Sequence, residues 1–379
     1  MPAKPDIHGA DTASLLDGMR AWVEIESHTF DVDGVNRLMT LVASQFAAIG
    51  AHVARIPGRD GRGDHLSIAS PWGGNGPGIL VLCHLDTVHP KGTLARDLPF
   101  RVEGDKAFGP GIADMKGCAY NAYAAYCAIA ADAKRQHLPV RLLYTSDEEV
   151  GSPTSRALIE AAADDAKYVL VVEGARDGGK IVTARKGVGR YEITTHGRPA
   201  HAGARHQEGR SAILEMARQV IAIEAMTDYA RGITVNIGQI TGGTADNVVP
   251  EHCRAAIDLR VATMVDAEAM HAKLMALTSI GPDITVMVKG GMNRAPYELT
   301  AGGKALFEHA RTLAREFDID LQGVSSGGGS DGNFTAHKVA TLDGLGCDGH
   351  GAHTHAEHVF ISSLVPRKML LQRLYETLR

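Results

Sequence analysis

Residues 143–152 of this chain read LYTSDEEVGS, with Asp147, Glu148 and Glu149 side by side. Adjacent carboxylates repel, and a buried unpaired one is costly, so the triplet needs either solvent or a cation. It follows VRLLYT, a run that reads as a buried strand. Two other apolar runs end in the same way. GILVLCH (78–84) ends in His84, with Asp86 just beyond, and YVLVVEG (168–174) carries Glu173 at its end. Asp114 stands in the glycine-rich turn of FGPGIADMKG, and GHGAHTHAEHV supplies His350, His353, His355 and His358. Open α/β sheets bind ligands at the carboxyl ends of their strands, so these groups can converge on one crevice. A pair of divalent metals would neutralise the clustered acids, and imidazole with carboxylate and no thiolate suits zinc. One acid of the triplet would then bind metal while a neighbour does proton work. Bland roles compete for each group taken alone. A carboxylate after a strand can be a solvated loop residue, a histidine can simply pack, and the triplet can cap a helix starting near Pro153.

The elements that must position these groups follow α/β grammar in the first part of the chain. The short apolar runs predict strands covered on both faces, and MKGCAYNAYAAYCAIAADAKR (115–135) and SRALIEAAADDA read as helices between them. A mostly parallel sheet flanked by helices is expected. Near Gly187 the pattern changes to β-α-β-β-α-β, a compact split βαβ unit of ferredoxin-like type, inserted over 187–293. The first domain would therefore comprise 1–186 and 294–379. It resumes with the helix KALFEHARTLAREF, the glycine loop SSGGGSDGN, the strand KVATLDGLG and a terminal helix from about Val365.

Composition narrows the function classes. A chain of 379 residues suits two domains, and 44% apolar with 22% charged residues is ordinary for a globular protein. A formal net charge of −5 argues for neither a nucleic-acid partner nor a membrane surface. The amino-terminal stretch has no basic segment leading into an apolar one, and no apolar run approaches the roughly 20 residues that span a bilayer. Five scattered cysteines, with no C-x-x-C pair, fit reduced thiols in a cytoplasm.

HLDTV (84–88), GPGIADMKG (109–117), DEEVGS (147–152), VVEG (171–174), GRPAHAG (197–203), NVVP (247–250), GGGSDGN (327–333) and GAHTHAEHV (351–359) occur in an order that resembles one known family. This is the di-zinc aminoacylase and carboxypeptidase family (peptidase family M20), with the carboxypeptidase G branch nearest. The likeness runs from about residue 15 to the C-terminus. There is no H-E-x-x-H, so thermolysin-like peptidases match poorly. The resemblance implies two zinc ions per subunit, with His84 on one and His353 on the other. Asp114 would bridge them, and Glu149 and Glu173 would complete the opposite sites. Cobalt and manganese share such ligand sets. It further implies Glu148 as general base and Asp86 as the carboxylate that orients His84. A cis Asp114–Met115 peptide is implied too. His353 fits the family's histidine because Thr354 follows it and Glu357 lies four residues on; His355 is the runner-up.

The inserted domain would act as lid and dimer interface, giving a homodimer in which His201 reaches the partner's site to support an oxyanion. Asn247 and Arg294 match positions that grip a substrate carboxylate, an Arg fork being suited to that task, with the backbone near Gly329 assisting. The glycine loop lacks the ending of a phosphate-binding P-loop. Lys180 aligns on a lysine that contacts a glutamate side chain, although the accompanying serine is Val182 here. Arg185 and Lys186 are further cations that can shift the preference. The expected substrates are small N-acyl amino acids or peptides, cleaved in a glutamate carboxypeptidase-like manner. A deacylase or dipeptidase, or an amidohydrolase of an aromatic amide or amine, is the alternative. A non-catalytic metal-binding protein is the reading from another class.

Overall fold

GILVLCH forms the strand Gly78–His84, buried along its whole length in the computed structural model, which describes residues 12–74, 76–131 and 137–379. Its alternate side chains explain why it carries no polar residue before His84. Ile79, Val81 and Cys83 join one apolar core and Leu80 and Leu82 another, so neither face meets water. The first core is roofed by helices Thr12–Val23, Val32–Ala48, Gly117–Ala130, Ala301–Ala314 and Leu364–Thr377. Ile159 and Ala163 of helix Arg156–Asp164 cover the second with Phe334.

This sheet has six strands in the order His52–Ile56, His65–Ala69, Val140–Thr145, Gly78–His84, Ala166–Val171, Ala340–Leu342. The last three pairings are parallel and the first two antiparallel. The sheet is therefore mostly parallel, with an antiparallel edge that short strands rich in charged neighbours did not announce in the sequence. Register sets His84 beside Thr145, and Leu82 beside Val171. The polar residues that follow these strands thus leave the sheet at one edge.

A second, small sheet of four strands does what no periodicity announces. It joins Arg101–Glu103, Lys106–Phe108, Gly349–His350 and His358–Phe360. Phe108 pairs with His358, and His350 with His358 across the hairpin whose loop carries His353. The turn that leads to Asp114 and the histidine loop are by this means brought together from opposite ends of the chain. Helix Gly117–Ala130 is shorter than the 115–135 run suggests; Gly117 follows the Asp114 turn directly, and 132–136 lie outside the described residues.

The chain divides into two units: Met1–Ala184 with Leu299–Ser325 and Ser330–Arg379, and Arg185–Glu298 with Ser326–Gly329. The second unit is a four-stranded antiparallel sheet ordered Thr234–Gly242, His252–Val261, Gly187–His196, Thr285–Arg294. Helices Ala212–Glu224 and Met264–Met275 cover one face of it, around Ile193, Met216, Ile257 and Met270. Residues 326–329 of the glycine loop belong to this unit because its backbone holds them. Lys186 N donates to Ser326 O at 3.0 Å, and the Arg185 guanidinium donates to Gly328 O at 3.1 Å.

Candidate metal centre

At the sheet edge the acidic triplet divides its work three ways. Asp147 is fully buried and accepts from Thr154 N (2.6 Å), Thr154 Oγ1 (2.7 Å), Ser155 N (3.3 Å) and Ser155 Oγ (2.5 Å). It ties the loop to the start of helix Arg156–Asp164, which is the capping role weighed for the triplet as a whole. Glu148 and Glu149 form one turn after it, with their backbone N–H groups on Asp86, at 3.2 Å to Oδ1 and 3.3 Å to Oδ2. Thr29 Oγ1 donates to Asp86 Oδ2 at 2.7 Å. Asp86 is thus a fully buried anchor for the turn that presents both glutamates.

His84 is buried too, and its two ring nitrogens have different company. Nδ1 lies 2.9 Å from the Asp86 carbonyl oxygen and 3.5 Å from its Oδ1. Nε2 lies 3.1 Å from Asp114 Oδ1 and 3.6 Å from Glu173 Oε1. The other oxygen of Asp114 serves a different ring: His353 Nε2 is 3.2 Å from Asp114 Oδ2 and 3.1 Å from Glu149 Oε2. Of the four neighbouring histidines, His353 is the one set against these acids. His350 pairs in the small sheet, His355 is exposed, and His358 Nδ1 turns to Ala356 O at 2.7 Å. The Asp114–Met115 peptide is cis, as the resemblance implies.

The field of these carboxylates is strong enough to recruit positive charge. Burial alone would lower His84, yet Asp114, Asp86 and Glu173 hold it well above its usual range. Asp114 and Glu149 raise His353 to about 10. Burial works against the Asp114 carboxylate, but His353 and His84 hold it well below the ordinary range. Burial pushes Glu149 up to about 7, with His353 opposing and Asp114 adding repulsion. Glu149 Oε1 is buried without a hydrogen-bond partner. The ligand atoms of His84, Asp114 and Glu149, and likewise of His84, Glu148 and Glu173, lie within 4.8 Å of one another. Two overlapping groups of imidazole and carboxylate with an orphaned oxygen fit divalent cations.

Residues 80–377 match peptidase family M20/M25/M40. Carboxypeptidase G2 of a Pseudomonas species is 31% identical over 366 residues, covering 94% of this chain and 87% of that protein. The chain belongs to the M20 peptidases. Among solved structures, aminopeptidase PepT from Bacillus cereus superposes with a TM-score of 0.75 at 22% identity, over 97% of this chain and 98% of that one. An M20 family metallo-carboxypeptidase, Sso-CP2 from Sulfolobus solfataricus, gives 0.73 at 16% identity, over 96% and 99%. The M20 chain described here is accordingly a hydrolytic peptidase with candidate metal ligands. No described helix is long and apolar enough to cross a membrane.

The remaining expected site residues of this M20 chain lie as follows. His201 and Asn247 share the second unit, on two segments joined by an isolated bridge: His201 pairs with Val248, and Ala202 N donates to Asn247 O at 3.0 Å. His201 is exposed, and its Nδ1 accepts from Gly203 N at 3.1 Å. Arg294 and Gly329 meet within the same unit. A Cβ at position 329 would stand 2.9 Å from Arg294 Cδ, so only glycine admits this side chain so close to the loop. Arg185 is 1% exposed, and its guanidinium donates to the carbonyls of Gly328 and Gly329. Lys180 is half-buried in the first unit, at a turn closed by Arg176 N to Lys180 O (2.8 Å) and Lys180 N to Arg176 O (2.7 Å).

Two supports of the centre escaped sequence reasoning. Glu357 is fully buried and accepts from Ala113 N (2.8 Å), Asp114 N (2.9 Å) and Gly111 N (3.0 Å), with His89 Nε2 at 2.6 Å. It holds the Asp114 turn, and Gly111 at φ +74° lets that turn form. Its only signal was its place four residues after His353. Lys116 carries no signal at all. It is buried, donates to Val23 O (3.2 Å) and Ile25 O (3.0 Å), and burial lowers it to about 8 against the pull of Glu357 and Glu26.

Proposed function

We propose that this M20 peptidase is a zinc-dependent metallohydrolase that cleaves the amide bond next to a free α-carboxylate, releasing an amino acid from an acyl or peptidyl partner. The observation that carries the reading is the position of Asp114, with Oδ1 toward His84 and Oδ2 toward His353. One carboxylate set between two imidazoles suits a bridge between two ions. His84 and Glu173 would hold one, and His353 and Glu149 the other, which gives the orphaned Glu149 oxygen a partner. The ions, when bound, supply Lewis-acid polarisation of the scissile carbonyl and of the attacking water.

The rest of the reaction falls to side chains. Glu148 takes the proton of the attacking water and passes it to the leaving nitrogen. Although an oxygen of Glu148 lies within 4.8 Å of ligand atoms of His84 and Glu173, it would stay out of the ligand set so as to remain basic, its neighbour Glu149 taking the ligand role instead. Asp86 serves both, by fixing the turn and by keeping the Nδ1 proton of His84 so that Nε2 is free to bind metal. Arg294, Asn247 and the Gly329 backbone would grip the substrate carboxylate, and His201 would support the oxyanion in the partner subunit's site.

The resemblance to the carboxypeptidase G branch is what suggests a glutamate-type leaving residue, with Lys180 as its contact. A deacylase or dipeptidase of less acidic substrates is the second reading, favoured because Val182 is fully buried and offers no polar group. A homodimer joined through the second unit is also proposed. Leu214 and Ile221 are 53% and 73% exposed on one helix, and Ile240 is exposed on the edge strand. Five free cysteines, four of them buried, support a reducing, cytoplasmic setting.

The test is a mixed panel of N-acyl amino acids and dipeptides offered to the zinc-loaded chain, with released amino acids read by mass spectrometry. Glutamate or aspartate release that disappears in Glu148→Gln is the expected result. Release of neutral residues alone would favour the second reading. No release from any amide by a chain shown to hold zinc would overturn both.

A further inference from the structure

A second group of metal-ligating side chains lies in the second unit, and it takes no part in the chemistry above. His196 ends the strand Gly187–His196, and His252 begins the strand His252–Val261. The two are direct partners in the ladder. Gly197 N donates to Glu251 O at 2.8 Å in the next rung, which leaves His196 and His252 at a position where opposed side chains stand close. Their rings are 4.5 Å apart and inclined at 65°. Glu251 spans them, with Oε1 3.4 Å from His196 Nε2 and Oε2 3.7 Å from His252 Nε2. All three can present one ligand atom within a common 4.8 Å.

These separations are too long for good hydrogen bonds, which run at about 2.7–3.2 Å. They are close to what a metal would impose. Bonds of about 2.0–2.2 Å from a tetrahedral ion put neighbouring ligand atoms roughly 3.3–3.6 Å apart. The catalytic candidates show the same range, from 3.1 Å for His353 to Glu149 to 3.6 Å for His84 to Glu173. Side-chain exposures of 53% for His196, 41% for Glu251 and 69% for His252 leave the site open to solvent and to further ligands such as water.

We propose that His196, Glu251 and His252 form an additional binding site for a borderline divalent metal, zinc above all. Two imidazoles and a carboxylate select such ions over calcium or magnesium, which prefer all-oxygen shells. The backbone makes this site more than a surface ornament. Beyond Gly197, where Arg198 pairs instead with Arg210, the two segments meet again, with Val249 N donating to Ala200 O (2.8 Å), Ala202 N to Asn247 O (3.0 Å) and His201 bridged to Val248. An ion gripping 196, 251 and 252 therefore pins the base of the two segments that carry His201 and Asn247. Occupancy of the site tightens those two segments against each other.

The test uses the full chain freed of metal and titrated with zinc, in calorimetry and by elemental analysis after dialysis. Wild type binds one zinc more than His196→Asn or His252→Asn, whatever the number held by the first unit. His337→Asn, an exposed histidine outside the group, binds as wild type does. Zinc also slows hydrogen exchange at the amides of Gly197, Val249 and Ala202 in wild type, and fails to do so in His252→Asn. Equal stoichiometry in wild type and both variants overturns the site, as does an equal loss in His337→Asn. Exchange that is indifferent to zinc overturns the pinning of the two segments. Because the readout is a difference in bound zinc, it stands or falls apart from the peptidase assay.

Discussion

Replacing Glu357 by Gln tests whether the Asp114 turn depends on a buried acceptor 243 residues away in sequence. Both oxygens of Glu357 are fully used: Oε1 by Ala113 N and Asp114 N, Oε2 by Gly111 N and His89 Nε2. A glutamine keeps one oxygen and turns its NH2 toward two donors, so two hydrogen bonds to a charged acceptor are lost. Each is worth about 1.5–3 kcal/mol, which makes the expected loss about 3–6 kcal/mol. At roughly 2 °C per kcal/mol for a unit of this size, thermal unfolding should fall by ~6–12 °C. Whichever oxygen is replaced, the turn that carries Asp114 loses backbone bonds, and losing such an outer support typically weakens metal binding about 10–100-fold. The assay is thermal unfolding with and without zinc, together with zinc competition against a chelator. An unfolding midpoint within about 1 °C of wild type, with unchanged zinc affinity, would refute the argument that Glu357 positions the Asp114 carboxylate.

Three further outcomes follow from the same geometry. Asp147→Ala removes four hydrogen bonds from a buried carboxylate and should lower thermal stability by several degrees, with zinc stoichiometry unchanged; a simultaneous loss of bound zinc would make Asp147 a ligand instead. Lys180→Met should raise KM about 10–100-fold for substrates releasing glutamate while sparing neutral ones, the cost of one hydrogen bond between charged groups. An equal change for both would detach Lys180 from specificity. Burial, helped by Arg373, lowers His309 below its ordinary value near 6.5, and its Nε2 meets Thr377 Oγ1 at 2.8 Å. A histidine depressed in the folded state binds its proton more readily when unfolded, so its contribution is present above about pH 6.5 and lost as pH falls through its folded value. His309→Gln should therefore flatten the fall of the unfolding midpoint below pH 6.5, and an unchanged slope would exclude His309 as a source of it.

The sequence by itself determined the strands that carry the chemistry and the kinds of residue at their ends. A stretch buried on both faces disfavours polar residues, so the change from LVLC to His84, and from LVV to Glu173, was visible as a break in composition. The β-α-β-β-α-β order of the second unit was equally legible, because its strands alternate and its helices repeat on a period of 3.6. Tertiary structure alone decided where each of three adjacent acids points. Asp147, Glu148 and Glu149 are alike in charge and differ only in which way one turn points them, and that turn is fixed by Asp86, 61 residues before Asp147. The meeting of Asp114 with His353 likewise rests on a sheet of two- and three-residue strands, too short to leave a periodic mark. The contacts of Glu357 and Lys116 stayed hidden because most of their bonds go to backbone atoms, and backbone groups look alike in every sequence. The pairing of His196 with His252 was hidden differently, since a strand register is a property of two strands and neither one spells it alone.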